Sequence, residues 1–406
     1  MMSPQTDHPK PVDSAKGTFR DLPRSVWMLG LVSLFMDTSS ELVHSLLPIF
    51  MATVLGSSIL TIGVIEGIAE ATAAIAKIFS GALSDYFGKR KHLVIFGYTL
   101  SAISKPMFPL ASTIGWVFGA RFVDRVGKGF RGSPRDALIA DIVSPQLRGT
   151  AYGLRQALDS VGAFLGPLLA VFFMFWLVGD IKAVLWIAVI PAILAVLLLI
   201  FTVHEPESKK PSSNLNNRLK LTDAKRLSQR FWLVVVLGAV FTLARFSEAF
   251  LILRAQDLGM EMSLVPVIMI VMNIVYSLFA YPAGMMADRV ASRKLLVFGL
   301  LVLISADLML AMATTPWIAL YGAALWGLHM ALTQGLLIKL VADTAPAELR
   351  GSAFGIFNLV CGIALFLASL VAGSLWNELG APATFIAGAI FAAVAASGLL
   401  LYRQEA

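Results

Sequence analysis

Arg121, Arg125, Lys128, Arg131 and Arg135 follow one another at steps of three and four residues inside an otherwise apolar segment, with Asp124 next to Arg125. At about 100° per residue on a helix they fall within roughly 120° of one face. Acidic partners show the same spacing. Asp37, Glu41 and His44 stand at i, i+4 and i+7; Glu66 and Glu70 stand at i, i+4 with Lys77 on the same side; Arg155 and Asp159 form another i, i+4 pair. Counted on and beside these faces, the first half sets seven acids (Asp37, Glu41, Glu66, Glu70, Asp124, Asp136, Asp159) against seven bases (Lys77, Arg121, Arg125, Lys128, Arg131, Arg135, Arg155). Such near balance argues for ion-pair networks over a naked anion site, and it leaves room for exchange of partners. The chemistry that follows is proton binding and release. Desolvation favours a neutral acid and an approaching guanidinium favours the carboxylate, so Asp37 or Glu41 beside a basic helix takes up and gives back a proton as its surroundings change. Glu66 and Glu70 are further candidates. Permanent structural salt bridges are the competing reading. A third is a divalent-metal site from Asp37, Glu41 and His44, since hard oxygen with imidazole suits several transition metals.

The elements that carry these residues belong in a bilayer. A chain of 406 residues that is 58% hydrophobic and 14% charged, with mean hydropathy +0.80, is too apolar for water. Apolar runs of about 18 to 25 residues recur along it, each long enough to cross a hydrocarbon core roughly 30 Å thick as a helix. They lack the alternation that barrel strands need. Expected spans are 26–53, 59–84, 92–112, 116–140, 149–176 and 182–203, then 231–255, 263–288, 294–313, 316–341, 351–376 and 381–402. Charged residues within 116–140 cannot face lipid, where each costs about 2.5–3.5 kcal/mol at the bilayer centre. Residues 1–25 read as a polar tail, 26–203 as an N-terminal six-helix bundle, 204–230 as a polar linker, 231–402 as a C-terminal six-helix bundle and 403–406 as a second tail. The polar start shows no cleavable signal. Lysine and arginine crowd the turns on one side (Lys89, Arg90, Lys91, Arg148, Arg289, Arg293, Lys294, Arg350) and the linker, while the opposite turns hold Lys182 alone. By the positive-inside rule both termini and the linker are cytoplasmic, which accounts for the net charge of +7 without nucleic acid. The single cysteine, Cys361, excludes a disulfide framework and a cysteine-based metal site.

The two halves are copies. Gly81-Ala-Leu-Ser-Asp85-Tyr-Phe-Gly88-Lys89-Arg90 is echoed roughly two hundred residues later by Gly284-Met-Met-Ala-Asp288-Arg289-Val-Ala-Ser-Arg293, and Leu147-Arg148-Gly149-Thr-Ala151-Tyr-Gly153 by Leu349-Arg350-Gly351-Ser-Ala353-Phe-Gly355. On these motifs the chain resembles the major facilitator superfamily of secondary transporters. That family's cytoplasmic motif after the second span matches Gly81, Asp85, Gly88, Lys89 and Arg90, and its repeat after the eighth matches Gly284, Asp288, Arg293 and Lys294, with Ala291 where the family has glycine. The resemblance implies an all-α integral membrane fold, twelve transmembrane helices in two pseudo-symmetric six-helix bundles that rock about a central cavity. It also implies a latch role for the two motifs. Arg125-x-x-Lys128-Gly129 is similar to a fourth-span motif of the antiporters, with Lys in place of Gln, and Gly162-x-x-x-Gly166-Pro167 resembles the fifth-span motif of exporters.

The basic stripe has no echo in span ten, where the corresponding positions are Ala323, Gly327, Met330, Thr333 and Leu337. It therefore belongs to the work of the first half. In the second half Arg245 and Glu248, at i, i+3, are expected to pair, while Asn273, Tyr276, His329 and Asn358 read equally as cavity groups or helix–helix hydrogen bonds. Arg121, Arg125, Lys128, Arg131, Arg155, Asp159, Arg245 and Glu248 complete the cavity candidates. Gly127-Lys128-Gly129 lacks nucleotide-loop spacing, and no nucleophile, base and orienting group come together, so neither ATP drive nor an enzyme is expected. The expectation is a monomeric, proton-coupled exporter of a small organic solute in a bacterial inner membrane, without cofactor. Uptake or exchange of an anionic metabolite through an arginine-lined cavity is the second transporter reading, and a non-transporting membrane sensor is the reading from another class.

Overall fold

In lipid, an apolar run has no way to satisfy its backbone except as a helix or a closed barrel. The computed structural model describes residues 22–87, 89–144, 147–205, 227–346 and 349–401, and among them the regular elements are helical throughout. In the N-terminal half these are α1 (Arg24–Ile49), α2 (Ile59–Phe87), α3 (Arg90–Met107), α4 (Ile114–Ile142), α5 (Arg148–Trp176), α6 (Ile181–Ile187) and α7 (Val189–Thr202). The C-terminal half supplies α8 (Gln229–Leu243), α9 (Ala249–Asp257), α10 (Val267–Arg289), α11 (Ser292–Ala311), α12 (Pro316–Thr344), α13 (Arg350–Leu379) and α14 (Ala381–Leu401). Among the described residues these fourteen α-helices, with a π-helical turn (Phe50–Val54) continuing α1 and with α6–α7 and α8–α9 each forming one pass, make twelve passes. Eight are long and apolar enough to span by length and composition alone; α4 is not among them because of its charge stripe. Most of the expected 204–230 linker and both tails lie outside the described residues.

Starts and breaks have local causes. The Thr113, Asp180 and Ser228 side chains accept from the backbone N–H groups of Trp116, Ala183 and Phe231 and cap α4, α6 and α8. Pro191 has no N–H to offer the Ile187 carbonyl, and the helix divides there into α6 and α7. Span seven, expected unbroken over 231–255, departs from the helix between Leu243 and Ala249. No proline or glycine sits at that break. Instead Ser247 takes part through both ends: its N–H donates to Ser369 Oγ at 3.2 Å, and its hydroxyl accepts from the Ala249 N–H at 3.3 Å, replacing ladder bonds.

Packing repeats between the halves. α1 packs on α5 as α8 packs on α13, α2 on α4 as α10 on α12, α3 on α4 as α11 on α12, and α3 on α7 as α11 on α14. The halves meet along α2–α13 and its counterpart α5–α10, with a smaller contact of α1 on α9. Lipid tails are as apolar as leucine, so such seams rest on close backbone approach between small residues. A Cβ at Gly63 would stand 2.5 Å from the Ser369 carbonyl oxygen, and one at Gly373 3.0 Å from Leu60 Cα. Further along, Gly67 meets Phe366, and Gly362 meets Ala71 and Ala74. These contacts occupy the part of the seam farther from the basic turn at Lys89–Lys91. Gly63→Val is therefore expected to wedge that closed side open and shift the population away from this state. The native Cys361, in the cavity on the other side of the seam, reports it: maleimide labelling should slow by roughly tenfold, a shift of about 1.4 kcal/mol, and an unchanged rate would count against the seam's role.

Candidate functional site

Past the contact of Gly362 with Ala74, α2 and α13 part and leave a cavity of about 510 Å³ between the halves. Asp37 and Glu41 of α1, Glu70 and Lys77 of α2, Lys128, Arg131 and Arg135 of α4, and Asp159 of α5 line one wall. Thr242, Arg245, Asn273, Tyr276, Asn358 and Cys361 line the other. The lining residues of α2 lie between the seam and the Lys89–Lys91 turn, so the cavity runs from mid-membrane toward the basic end.

Glycines bring the charged helices within reach of one another. A Cβ at Gly97 would stand 2.6 Å from the Arg131 backbone nitrogen, and one at Gly129 2.8 Å from the Ala73 carbonyl oxygen, which sets α3 and α2 against α4. Gly162 and Gly166 do the same for α5 on α1, a Cβ at the latter standing 2.7 Å from Glu41 Cβ. The glycines of the exporter-like motif thus form the floor beneath Asp37 and Glu41, and α5 runs unbroken through Pro167.

The stripe on α4 is mostly consumed by carboxylates. Arg121 Nη2 donates to Glu66 Oε2 at 2.6 Å, both buried. Arg125 meets Glu70 at 3.0 Å. Asp124 accepts from Lys105 at 2.7 Å, and that ammonium also reaches Ser40 at 3.0 Å. Arg135 donates to Ser33 Oγ at 2.6 Å and lies 3.8 Å from Asp159, which Arg155 holds at 2.5 Å. Arg131 donates to Ser101 Oγ at 2.6 Å and sits 5.1 Å from the centre of the Tyr98 ring, a cation–π distance. Its contact with Asp37 is looser, 3.5 Å.

Several expectations change. Arg121, Arg125, Arg155 and Glu66 are not in the cavity wall; they lie behind it in ion pairs, because a buried guanidinium in lipid demands a carboxylate. Asp37, Glu41 and His44 do not form a metal site. Glu41 and His44 turn to each other at 3.4 Å while Asp37 turns to Arg131, and no cluster of metal-ligating side chains occurs among the described residues. Arg245 and Glu248 do not pair, since the break between α8 and α9 removes the helical spacing on which the pair depends; Arg245 faces the cavity and Glu248 does not line it. His329 is buried away from the cavity, its Nδ1 2.8 Å from the Gly299 carbonyl and its ring stacked on Phe241. Asn273 and Tyr276 line the cavity and also bond across helices, to the Ala163 carbonyl and to Gln334. Asn358 lines the cavity on α13.

Of the motif at the basic end, Gly88 and the side chains of Asp85 and Asp288 lie outside the described residues. Gly81 meets Ser133 at ordinary contact distance and a side chain at Gly284 would meet open space, so neither is forced by close packing. Lys89 precedes α3; Arg90 pairs with Asp141 at 3.2 Å, and its N–H donates to Glu205. The Arg293 guanidinium donates to the Leu400 carbonyl. Lys105 is the charged residue missing from the sequence tally. It stands far along α3 from Arg90 and Lys91, without an i, i+4 partner, and only the crossing of α3 and α4 delivers Asp124 to it.

The sequence matches the Major Facilitator Superfamily over residues 29–275 and again over 248–406. The uncharacterized MFS-type transporter MJ1317 of Methanocaldococcus jannaschii is 32% identical over 392 residues, covering 94% of this chain and 95% of that one. The multidrug resistance protein MdtL of Shigella flexneri is 24% identical over 315 residues, 75% of this chain and 78% of that one. Among solved structures, the nucleoside transporter NupG superposes with a TM-score of 0.79 at 15% identity, covering 93% of this chain and 99% of that one. With a family match across both halves, a full-length relative and the repeated helix pairings about one cavity, the chain belongs to the major facilitator superfamily and is a multi-pass membrane transporter rather than an enzyme.

Proposed function

We propose that the protein is a proton-coupled secondary transporter that exports a small organic solute, working as a monomer in a bacterial inner membrane with both termini cytoplasmic. In that orientation the cavity faces the cytoplasm. The observation that supports proton coupling is the gradation among the ion pairs. Asp124–Lys105 and Glu66–Arg121 are short and fully buried. Asp37 is 3.5 Å from Arg131, 24% of its side chain is exposed to the cavity, and Arg131 holds a stronger hydrogen bond elsewhere. A carboxylate so placed exchanges a guanidinium for a proton at small cost, whereas a locked pair does not. Glu41, whose contact is His44 rather than an arginine, is the second carrier. Rocking about the α2–α13 and α5–α10 seams supplies alternating access. The outward direction is supported by the exporter-like Gly162–Pro167 motif and by the name of the relative MdtL.

In proteoliposomes with an internal pH dye, solutes that move protons in the wild type should move none in Asp37→Asn with Glu41→Gln, while the variant keeps its melting temperature. Asp124→Asn should do the opposite first, lowering stability by about 3–5 kcal/mol because it leaves Lys105 buried and unpaired. Proton movement surviving in the double variant would return Asp37 and Glu41 to a structural role. In everted vesicles an acid interior should drive solute inward; drive only by an alkaline interior would reverse the direction. A latch role for the repeated motif predicts slower turnover in Asp85→Asn and in Asp288→Asn at unchanged solute affinity, and equal turnover in both would exclude it.

A further inference from the structure

Three cations in the cavity wall have no carboxylate within ion-pair distance among the described residues: Lys77, Lys128 and Arg245. Lys77 and Lys128 are exposed to the cavity, and Lys77 runs its stem along α4, its Cε 3.8 Å from where a Cβ at Gly132 would stand. Gly132 is one helical turn from Lys128, so two ammonium groups share one patch of the wall. The nearby acids are already engaged. Asp37 faces Arg131, Glu70 is held by Arg125, Glu41 turns to His44, and Asp136 touches both Arg135 and Arg155. Across the cavity Arg245 projects from the break between α8 and α9, where the chain is not a helix and Glu248 no longer lies beside it. Hydroxyl and amide groups of Thr242, Tyr276 and Asn358 surround that side.

We infer that the transported solute is an organic anion, bound with an anionic group at the Lys77–Lys128 patch of one half and its other polar end at Arg245 of the other half. The inference rests on the transporter reading above and names its solute class. It differs from an arginine-lined anion path, because the arginines of α4 are spent on Asp37, Glu66, Glu70 and Asp159. The cations left over are these three. Cations without carboxylate partners facing one cavity raise the local concentration of anions and hold one without displacing any existing ion pair.

Cys361 lines the same cavity and gives a readout independent of transport. Purified full-length protein would be labelled with N-ethylmaleimide in the presence of adipate, benzoate or glucose 6-phosphate, of the neutral dimethyl adipate, methyl benzoate and glucose, and of the cation tetraphenylphosphonium, with melting temperature followed in parallel. At least one anion should protect Cys361 and raise the melting temperature, and its neutral counterpart should need a concentration at least tenfold higher. Lys77→Gln, Lys128→Gln and Arg245→Gln should each weaken that protection by about tenfold or more, the scale of one charge-assisted hydrogen bond, and Arg245→Lys should restore part of it. Protection by neutral or cationic compounds only, protection by none, or anion protection that survives all three substitutions overturns the inference. If anions bind but drive no proton movement, proton coupling fails and the anion site stands. If neutral solutes drive Asp37-dependent proton movement and anions do not bind, the reverse holds.

Discussion

A guanidinium in the middle of a membrane must be neutralised, and the N-terminal half is organised by that demand. Once the stripe from Arg121 to Arg135 is written on one face of α4, α4 cannot touch lipid on that side, and α1, α2, α3 and α5 must each bring a polar group to it. They do so with Asp37, Glu66 and Glu70, Ser101, and Asp159 respectively. The glycines of α3, α4 and α5 follow from the same demand, because short side chains such as Asp and Ser reach an arginine only if the backbones nearly touch. The C-terminal half has no such stripe. Its interior near the break in span seven is an aromatic cluster in which the Phe246 ring lies 5.3 Å from both Phe250 and Trp326 and 5.5 Å from Phe385. Packing replaces charge there.

This division has a mechanical consequence. Among the described residues the ion pairs lie within one half or the other, and none crosses the seams. What crosses is small-residue packing along α2–α13 and a hydrogen bond of 3.3 Å from Asn273 to the Ala163 carbonyl. Contacts of that kind separate without stranding a buried charge. The strong interactions therefore lie inside each half, and the weak ones lie along the seams of the proposed rocking. A distribution with salt bridges across the seam would make each rocking step cost several kcal/mol for every pair broken.

Much of this was legible in the sequence, for a definite reason. Helical periodicity reports which residues share a face, so the stripe on α4, the Arg155–Asp159 pair and the common face of Asp37, Glu41 and His44 could all be read from spacing. The recurring apolar runs gave the twelve passes, and the repeated motifs gave the two halves. Distances between helices are not periodic, and that is where reading stopped. Nothing local announced that Lys105 would meet Asp124, that His329 would close on Gly299 rather than face the cavity, or that Arg121 would be withdrawn behind the wall. The balance of seven acids and seven bases was a guide to pairing but not to which bases would be left over, since it omitted Lys105 and could not know that Asp159 serves two arginines. The break between α8 and α9 was hidden for a different reason. It is made by a serine and its distant partner Ser369, not by proline or glycine.

Lys105 against Asp124 and Arg245 in the cavity apart, the kinds of cation used in the two settings differ as their chemistry requires. Those of the α4 stripe buried against carboxylates are arginines, whose planar fork makes short, directed hydrogen bonds to oxygen and remains charged. Those exposed on the same half of the cavity, Lys77 and Lys128, are lysines, each a compact charge on a flexible stem that follows a mobile ligand. Closing the basic end of an empty cavity would press these like charges together and strip their water, at a cost that the wall's carboxylates, already turned to Arg131, His44, Arg125 and Arg155, offset only in part. On the proposed organic-anion reading, an anion bound between the halves removes that cost, and so has the differential affinity for the closed form that any solute-driven conformational change requires. Unpaired charge in the wall thereby becomes the means by which occupancy and closure are coupled, while the paired charge behind it keeps the wall from collapsing.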